Sequence, residues 1–408
     1  MKPLGPIPAG FDVMDGELSV GGLTSRELVE RAGSTPVFVY SRDLIERRIA
    51  DLRAAMPSSL AIHYAIKANS YGPLLEFVAG LVDGLDIASG GELQMAIDAL
   101  ADPQDVSFAG PGKRDAELEA AIRAAITLNC ESEGEAERTL AIGRRIGVTP
   151  RMAVRVNPDF ELRGSGMKMG GGAKPFGVDQ ARVPQLVRYL VREGAQWRGL
   201  HIYTGSQSLD ADAIIETQGK VLELAASLSE EAGMVLPHLN LGGGFGIPYF
   251  HKDEPLDIAA IGEALKERFD NLPAPLADTQ FAIELGRYLV GEAGIYFTRV
   301  VDRKESHGQT YLVTDGGLHH QLAASGNFGT VVRRNYPVAI ANRFAEEAVE
   351  EANVVGCLCT PLDRLADQAW LPHAREGDLV AVFCAGAYGA SASPSAFLGQ
   401  GPAAELLI

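Results

Sequence analysis

The chain is expected to fold as a (β/α)8 barrel followed by an antiparallel β domain, and three observations carry that expectation. Short apolar runs alternate with amphipathic helical stretches from about residue 36 to 285. After residue 286 the rhythm changes, and apolar runs are separated by turns with little helix between them. The length, 408 residues, suits two domains. Strand–helix alternation implies a parallel sheet, and so many repeats favour a closed barrel over a doubly wound sheet.

In chain order, "PVFVY", "LAIHYAIK", "GLDIAS", "VSFAG", "ITLNC", "RMAVRVN", "GLHIYTG", "HLNLGGG" and "FAIEL" read as strands of domain 36–285. "SRDLIERRIADLRAAM", opened by Ser41 as a cap, and "AIIETQGKVLELAASLSEEAG" read as helices between them. In domain 286–408 the strands are "GIYFTRVVDRKES", "TYLVTDGG", "PVAIANR", "ANVVGCLC" and "DLVAVFCAGAYG". Residues 1–35 are expected to join this second domain, "GELSVGG" adding a strand to it.

Hydrophobic residues make up 46% and charged residues 22%, enough for substantial cores. Lys and Arg total 36 against 53 Asp and Glu, a formal charge of −17, which disfavours nucleic acid and anionic membranes as partners. The opening "MKPLGPIPAGFDVMDGELSVGG" carries prolines and acids where a signal peptide needs a continuous apolar core. The cysteines are Cys130, Cys357, Cys359 and Cys384, too few for a disulfide framework. Cys357 and Cys359 are one residue apart on an expected strand, facing opposite sides, which argues against a metal site. These features lead us to expect a reduced, cytoplasmic setting.

Three stretches carry chemistry. "HYAIKAN" sets Lys67 where an apolar strand stops, on the same face as Ala61, His63 and Ala65. Alone, that is a lysine turning into solvent. "LGGGFG" lets backbone amides approach an anion closely, although a tight turn explains a glycine run equally well. "IELGR" crowds Glu284, Gly286 and Arg287 at another strand end, where the two charges could pair. Together, a lysine, a phosphate cradle, an arginine and a carboxylate are the inventory that holds pyridoxal phosphate (PLP).

From about residue 36 onward the sequence resembles the fold-type III, alanine racemase-like, PLP-dependent amino-acid decarboxylases, which include the diaminopimelate and ornithine enzymes. The matching pieces, in order, are "YAIKAN", "DIASGGEL", "RVNP", "KPFGV", "GSQ", "GGGFG", "ELGR", the cysteine of "CLCTPLD", and "GAYG". Closer still, "FAGPGKRDAELEAAI", "RVNPDFELRGSGMKMGGGAKPFG" and "HIYTGSQ" look like the subgroup associated with exosortase A systems and exopolysaccharide loci.

The resemblance implies that Lys67 is the Schiff-base lysine and Glu284 the acid facing the pyridine nitrogen. It matches Ser206, Gly243, Gly244, Gly286, Arg287 and Tyr388 to phosphate contacts, and Asp86 and Arg155 to supporting polar positions. Cys359 matches a cysteine that a neighbouring subunit inserts to protonate the carbon after carbon dioxide leaves, which implies a homodimer with composite sites. Read without the family, Cys359 is a buried core cysteine.

Departures from the pattern bear on the substrate. Thr360 stands where the family has an acid for a distal ammonium, and Ala323 stands about where the diaminopimelate enzymes have an arginine for a distal carboxylate. His319, His320 or Arg333 are candidates to compensate, Arg287 is a further substrate contact, and exposed loop positions are the plainer reading for His319, His320 and Arg333 alike. Tyr203 replaces the histidine that stacks on the cofactor ring, and His201 is expected to point the same way. Leu285 replaces a proline in "ELGR".

The implied function is α-decarboxylation of an amino acid or an amino-acid-derived, carrier-bound substrate in an exopolysaccharide-associated or specialised pathway, with diaminopimelate decarboxylation in lysine biosynthesis as the alternative. A racemase reading is disfavoured by Glu284, because racemases of this fold set an arginine against the pyridine nitrogen. A non-catalytic PLP carrier is disfavoured by the second domain and its cysteine.

Overall fold

A computed structural model describes residues 1–326 and 333–408. The chain divides into two compact units, one comprising Ile49–Gly246 with Leu256–Gly286, the other Met1–Arg48 with Ile247–Pro255 and Arg287–Ile408.

The first unit is a closed parallel barrel. Its eight strands, in chain order, are Leu60–Ala65, Gly84–Ile87, Val106–Phe108, Thr127–Cys130, Arg151–Asn157, Gln196–Ile202, His238–Asn240 and Gln280–Leu285. Each pairs in parallel with its successor, and Gln280–Leu285 returns to Leu60–Ala65. Helices start where the strands end because Ser or Asp stands at the turn. Ser89, Ser132, Asp210 and Asp257 accept from the backbone N–H of Glu92, Glu135, Ala213 and Ala260 at 3.0–3.1 Å. Gly147 and Gly233 close two of these helices in the left-handed conformation.

Barrels of this kind usually fill their interior with branched side chains. Here Ala61, Ser107, Ala153 and Ala282 face inward with His63, Asn129 and Asn240, and they line a cavity of about 320 Å³. Arg198 and His238, from the starts of their strands, line it as well.

The second unit is built on a mixed sheet. Gly294–Ser306 pairs antiparallel with Gln309–Thr314 and with Leu379–Val382, and the expected strands of this region are present. Two pairings are parallel, Gln309–Thr314 with Glu350–Val355 and Ala404–Leu407 with Val37–Tyr40, so the sheet is not purely antiparallel as expected.

Other expectations need correction. Val37–Tyr40, assigned to the barrel from sequence, pairs instead with Gly294–Phe297 and Ala404–Leu407. All four of its residues are buried, and a run buried on both faces reads alike in either sheet. "GELSVGG" forms the strand Glu17–Val20 within the second unit, as expected, and there it belongs to a separate three-stranded sheet with Asp12–Met14 and Leu23–Thr24. The strand before the paired cysteines ends at Val355, so Cys357 and Cys359 lie in the following loop, not on the strand. Arg364–Leu371 and Ala404–Leu407 are strands the sequence reading did not find.

Candidate active site

Lys67 is delivered by a short turn. The strand stops at Ala65, two residues earlier than its alternation suggests, and Ile66–Ala68 form one turn of 3-10 helix. Lys67 is exposed, and its Nζ lies 5.5 Å from the centre of the Tyr203 ring. The aromatic face that replaces the family histidine therefore stands beside the lysine.

Glu284 lies near the end of the Gln280–Leu285 strand, buried, with His201 Nε2 at 2.8 Å from its Oε2 and Asn240 Nδ2 donating to the same oxygen at 3.2 Å. Burial opposes ionisation of Glu284, but the charge and hydrogen bond of His201, with Lys67 and Arg155 beyond, hold it well below the ordinary carboxylate range.

Asp86 accepts from Ser107 Oγ at 2.6 Å, and Asn129 Nδ2 donates to that hydroxyl at 2.8 Å. His63 Nδ1 approaches the other oxygen of Asp86 at 3.5 Å. Burial works against protonation of His63, yet Asp86 and then Glu284 raise its pKa. Arg155 does not reach toward Asp86. It pairs with Glu131 at 2.9 Å, and Glu131 also accepts from Gly177 N at 3.1 Å. Glu131, His63 and the His201–Glu284 pairing were not singled out from sequence. The signal available was polar residues recurring at inward strand positions.

The glycine run is required sterically. Gly244 has φ +89°, and a Cβ there would meet Gly205 O at 2.7 Å. A Cβ on Gly243 would fall 1.9 Å from Glu284 O, and one on Gly286 would fall 2.7 Å from Ala68 Cβ. Gly205–Ser206 pairs with Met167–Lys168, which sets Ser206 in the loop after the Gln196–Ile202 strand.

In the second unit, Arg287 Nη1 donates to Tyr249 OH at 2.7 Å, and its guanidinium lies 4.6 Å from the Tyr388 ring centre. Its Nε is buried without a hydrogen-bond partner among the described residues. Tyr388 sits at φ +57°, a left-handed conformation costly for a bulky residue and frequent where function imposes strain. Cys359 is exposed, correcting the buried reading made without the family. Its loop is fixed by Asp363, whose carboxylate accepts from Leu318 N at 2.6 Å and Leu358 N at 2.8 Å. Thr360 is half-buried in the same loop.

His319 and His320 are not exposed loop residues. They are 0% and 5% exposed, and His320 bridges Tyr296 OH and Gly401 O at 3.0 Å each. Arg333 donates to Arg364 O. Arg333 Nε is buried without a hydrogen-bond partner, and its guanidinium forms no ion pair, among the described residues.

The barrel, with a lysine and a buried carboxylate at the C-terminal ends of its strands, has the form of a PLP-binding enzyme. The donor set fits that cofactor: an amine for its aldehyde, an ionised acid for its ring nitrogen, and close-approach glycines for its phosphate. The family model "Pyridoxal-dependent decarboxylase, pyridoxal binding domain" matches residues 42–291. The chain is 35% identical over 381 residues to the L-glutamyl-[BtrI acyl-carrier protein] decarboxylase of Niallia circulans, covering 91% of this chain and 88% of that protein. It is 33% identical over 401 residues to the diaminopimelate decarboxylase of Aquifex aeolicus, covering 98% and 92% respectively. The crystal structure of diaminopimelate decarboxylase from M. jannaschii in complex with L-lysine superposes with a TM-score of 0.87 at 25% identity, covering 98% of this chain and 93% of that one. The chain belongs to the pyridoxal-dependent decarboxylases. It is a PLP-dependent carboxy-lyase.

Proposed function

We propose that the enzyme removes the α-carboxylate of an amino acid that presents no free distal charge, as a neutral side chain or as an aminoacyl group on a carrier, in a pathway tied to exopolysaccharide assembly. The observation that carries this is Thr360, in the loop of Cys359, where an acid would be needed to pair a distal ammonium. The relative from Niallia circulans, by its name, decarboxylates a glutamyl group on an acyl-carrier protein. Diaminopimelate is the second reading, favoured by the Aquifex aeolicus relative.

The assigned roles are these. Lys67 would hold the cofactor through its aldehyde. When bound, the cofactor supplies an electron sink for the pair left by the departing carboxylate. Glu284 would keep a proton on the ring nitrogen, and the aromatic Tyr203 would supply an apolar face to the cofactor. Ser206, Gly243, Gly244 and Gly286 would hold the phosphate, and Arg287 with Tyr388 would serve anion binding. Asp86 and Arg155 support these groups. Cys359 Sγ hands a proton to the carbon that has lost carbon dioxide.

Carbon dioxide release should be compared on free L-glutamate, an L-glutamyl acyl-carrier protein, neutral L-amino acids and meso-diaminopimelate. A carrier-bound or neutral substrate should exceed diaminopimelate by at least about 100-fold in kcat/KM, the scale of one unpaired buried charge. Diaminopimelate as the best substrate would overturn the proposal.

The partner assignment has its own test. Lys67→Ala and Cys359→Ala proteins, each inactive or nearly so, are mixed and allowed to exchange subunits. If each site takes its lysine and cysteine from different subunits, a mixed dimer has one intact site. Activity then returns toward about a quarter of wild type, given the roughly 10²–10⁴-fold contribution of a proton donor. No recovery despite verified exchange would sink the composite homodimer.

A further inference from the structure

We propose that His201 is a positioning residue that fixes the rotamer of Glu284 and keeps its carboxylate ionised, a task separate from the ring stacking assigned to Tyr203. This rests on reading Glu284 as the acid that faces the cofactor's ring nitrogen.

The local chain places His201 inward. A bulge between Trp197 and Gly199 shifts the register of the Gln196–Ile202 strand against Arg151–Asn157. Gly199 permits it with φ +119°, and a Cβ there would lie 1.9 Å from His238 O. Beyond the bulge His201 pairs with Arg155 on one side and Asn240 on the other. Its side chain is 2% exposed and that of Glu284 is 6% exposed, so the pair is largely withdrawn from bulk solvent.

The contacts are one-sided. His201 Nε2 and Asn240 Nδ2 both approach Oε2, at 2.8 and 3.2 Å, and among the described residues no hydrogen bond ends on Oε1. One oxygen is thus anchored and the other left for a partner. Both ring nitrogens of His201 are buried, and neither meets hydrogen-bond geometry among the described residues, so the 2.8 Å ion-pair approach of Nε2 to Glu284 Oε2 is the polar contact that holds the imidazole. Other charged groups act on Glu284 as well: Lys67 from the turn after the first strand and Arg155 from the fifth. His63, on the first strand, is acted on by Glu284 in turn. Tyr203 is tilted 54° to His201 with ring centres 6.5 Å apart, so the two rings are not stacked and hold separate places.

Glu284 can be followed in the cofactor-free protein by its carboxyl carbon resonance as pH is varied. In His201→Leu its midpoint should rise by at least about one pH unit, a tenfold change in proton affinity. In His201→Gln, whose amide nitrogen sits near the Nε2 position, most of the wild-type value should return, whereas His201→Asn should resemble Leu. An equal midpoint in wild type, Leu and Asn variants would overturn the proposal, and so would failure of Gln to differ from Asn. If Leu does not fold, the Gln–Asn difference decides alone. In the holoenzyme, kcat should fall about 10–100-fold in the Leu variant, as for other residues that orient a functional group, with the pH profile of cofactor absorbance displaced alongside. Failure of the cofactor to attach at Lys67 would refute the site assignment and leave the titration result standing.

Discussion

At the C-terminal ends of the barrel strands, Lys113 is 1% exposed and donates to Glu135 Oε1 at 2.7 Å, Gly110 O at 2.8 Å and Asn129 O at 2.9 Å. At the N-terminal ends, Arg198 donates to His238 Nε2 at 2.6 Å, keeps a buried Nε without a partner, and forms no ion pair among the described residues. Arg151 nearby bonds Gln104 O at 3.0 Å and also leaves Nε unpartnered. One end is a closed lattice in which each donor of an ammonium is used. The other is a hollow with arginines only half engaged. The difference teaches where rigidity is placed: the end that carries Lys67 and Glu284 is cross-linked by buried ions, and the opposite end is not.

The strongest way to break this contrast is Lys113→Met. It leaves Glu135 buried without its ammonium, and stability should fall by about 3–5 kcal/mol, the cost of removing one partner of a buried pair. Chemical unfolding measures it, and adding Glu135→Gln should recover most of the loss. A loss near that of a surface pair, under about 1 kcal/mol, would mean the lattice is not rigidifying.

Arg198→Met should do far less, within about 1 kcal/mol, because no paired charge is orphaned. It sharpens the contrast through pH. Burial, then Arg198 and Arg151, depress the pKa of His238 to about 4 from an ordinary value of 6.5. Between those values the unfolded chain binds the extra proton, so this histidine makes stability fall as pH drops from about 6.5 to 4. Without Arg198 the His238 pKa rises and that acid-side loss should shrink. An unchanged pH dependence of unfolding between pH 7 and 4.5 would show that Arg198 does not govern His238.

The eight barrel strands were legible because each pairs an apolar run with an opening Ser, Asp or glycine turn. Val37–Tyr40 was misassigned because pairing partners lie hundreds of residues away and leave no local trace. Arg364–Leu371 was missed because Asp367 and Gln368 interrupt its apolar run. Lys67, Glu284 and the glycines stood out by residue type at strand ends. His201 against Glu284 and Arg155 against Glu131 did not, since each contact depends on register between strands distant in sequence. Burial of His319 and His320 was hidden for the same reason: nothing within "DGGLHHQL" announces Tyr296 or Gly401 as neighbours.

The strand Val37–Tyr40 has a consequence for synthesis. It is flanked by Gly294–Phe297 on one side and Ala404–Leu407 on the other. At roughly 5–20 residues per second, the ribosome delivers that last partner some tens of seconds after the strand itself has emerged. All barrel segments are translated in the interval, within Ile49–Gly286. The first-made apolar strand must therefore wait, unpaired on both edges, while the barrel is made, and on one edge still after Gly294–Phe297 has emerged. Its four residues, all buried in the folded protein, leave an apolar strand edge open during synthesis, the kind of surface that chaperones shield.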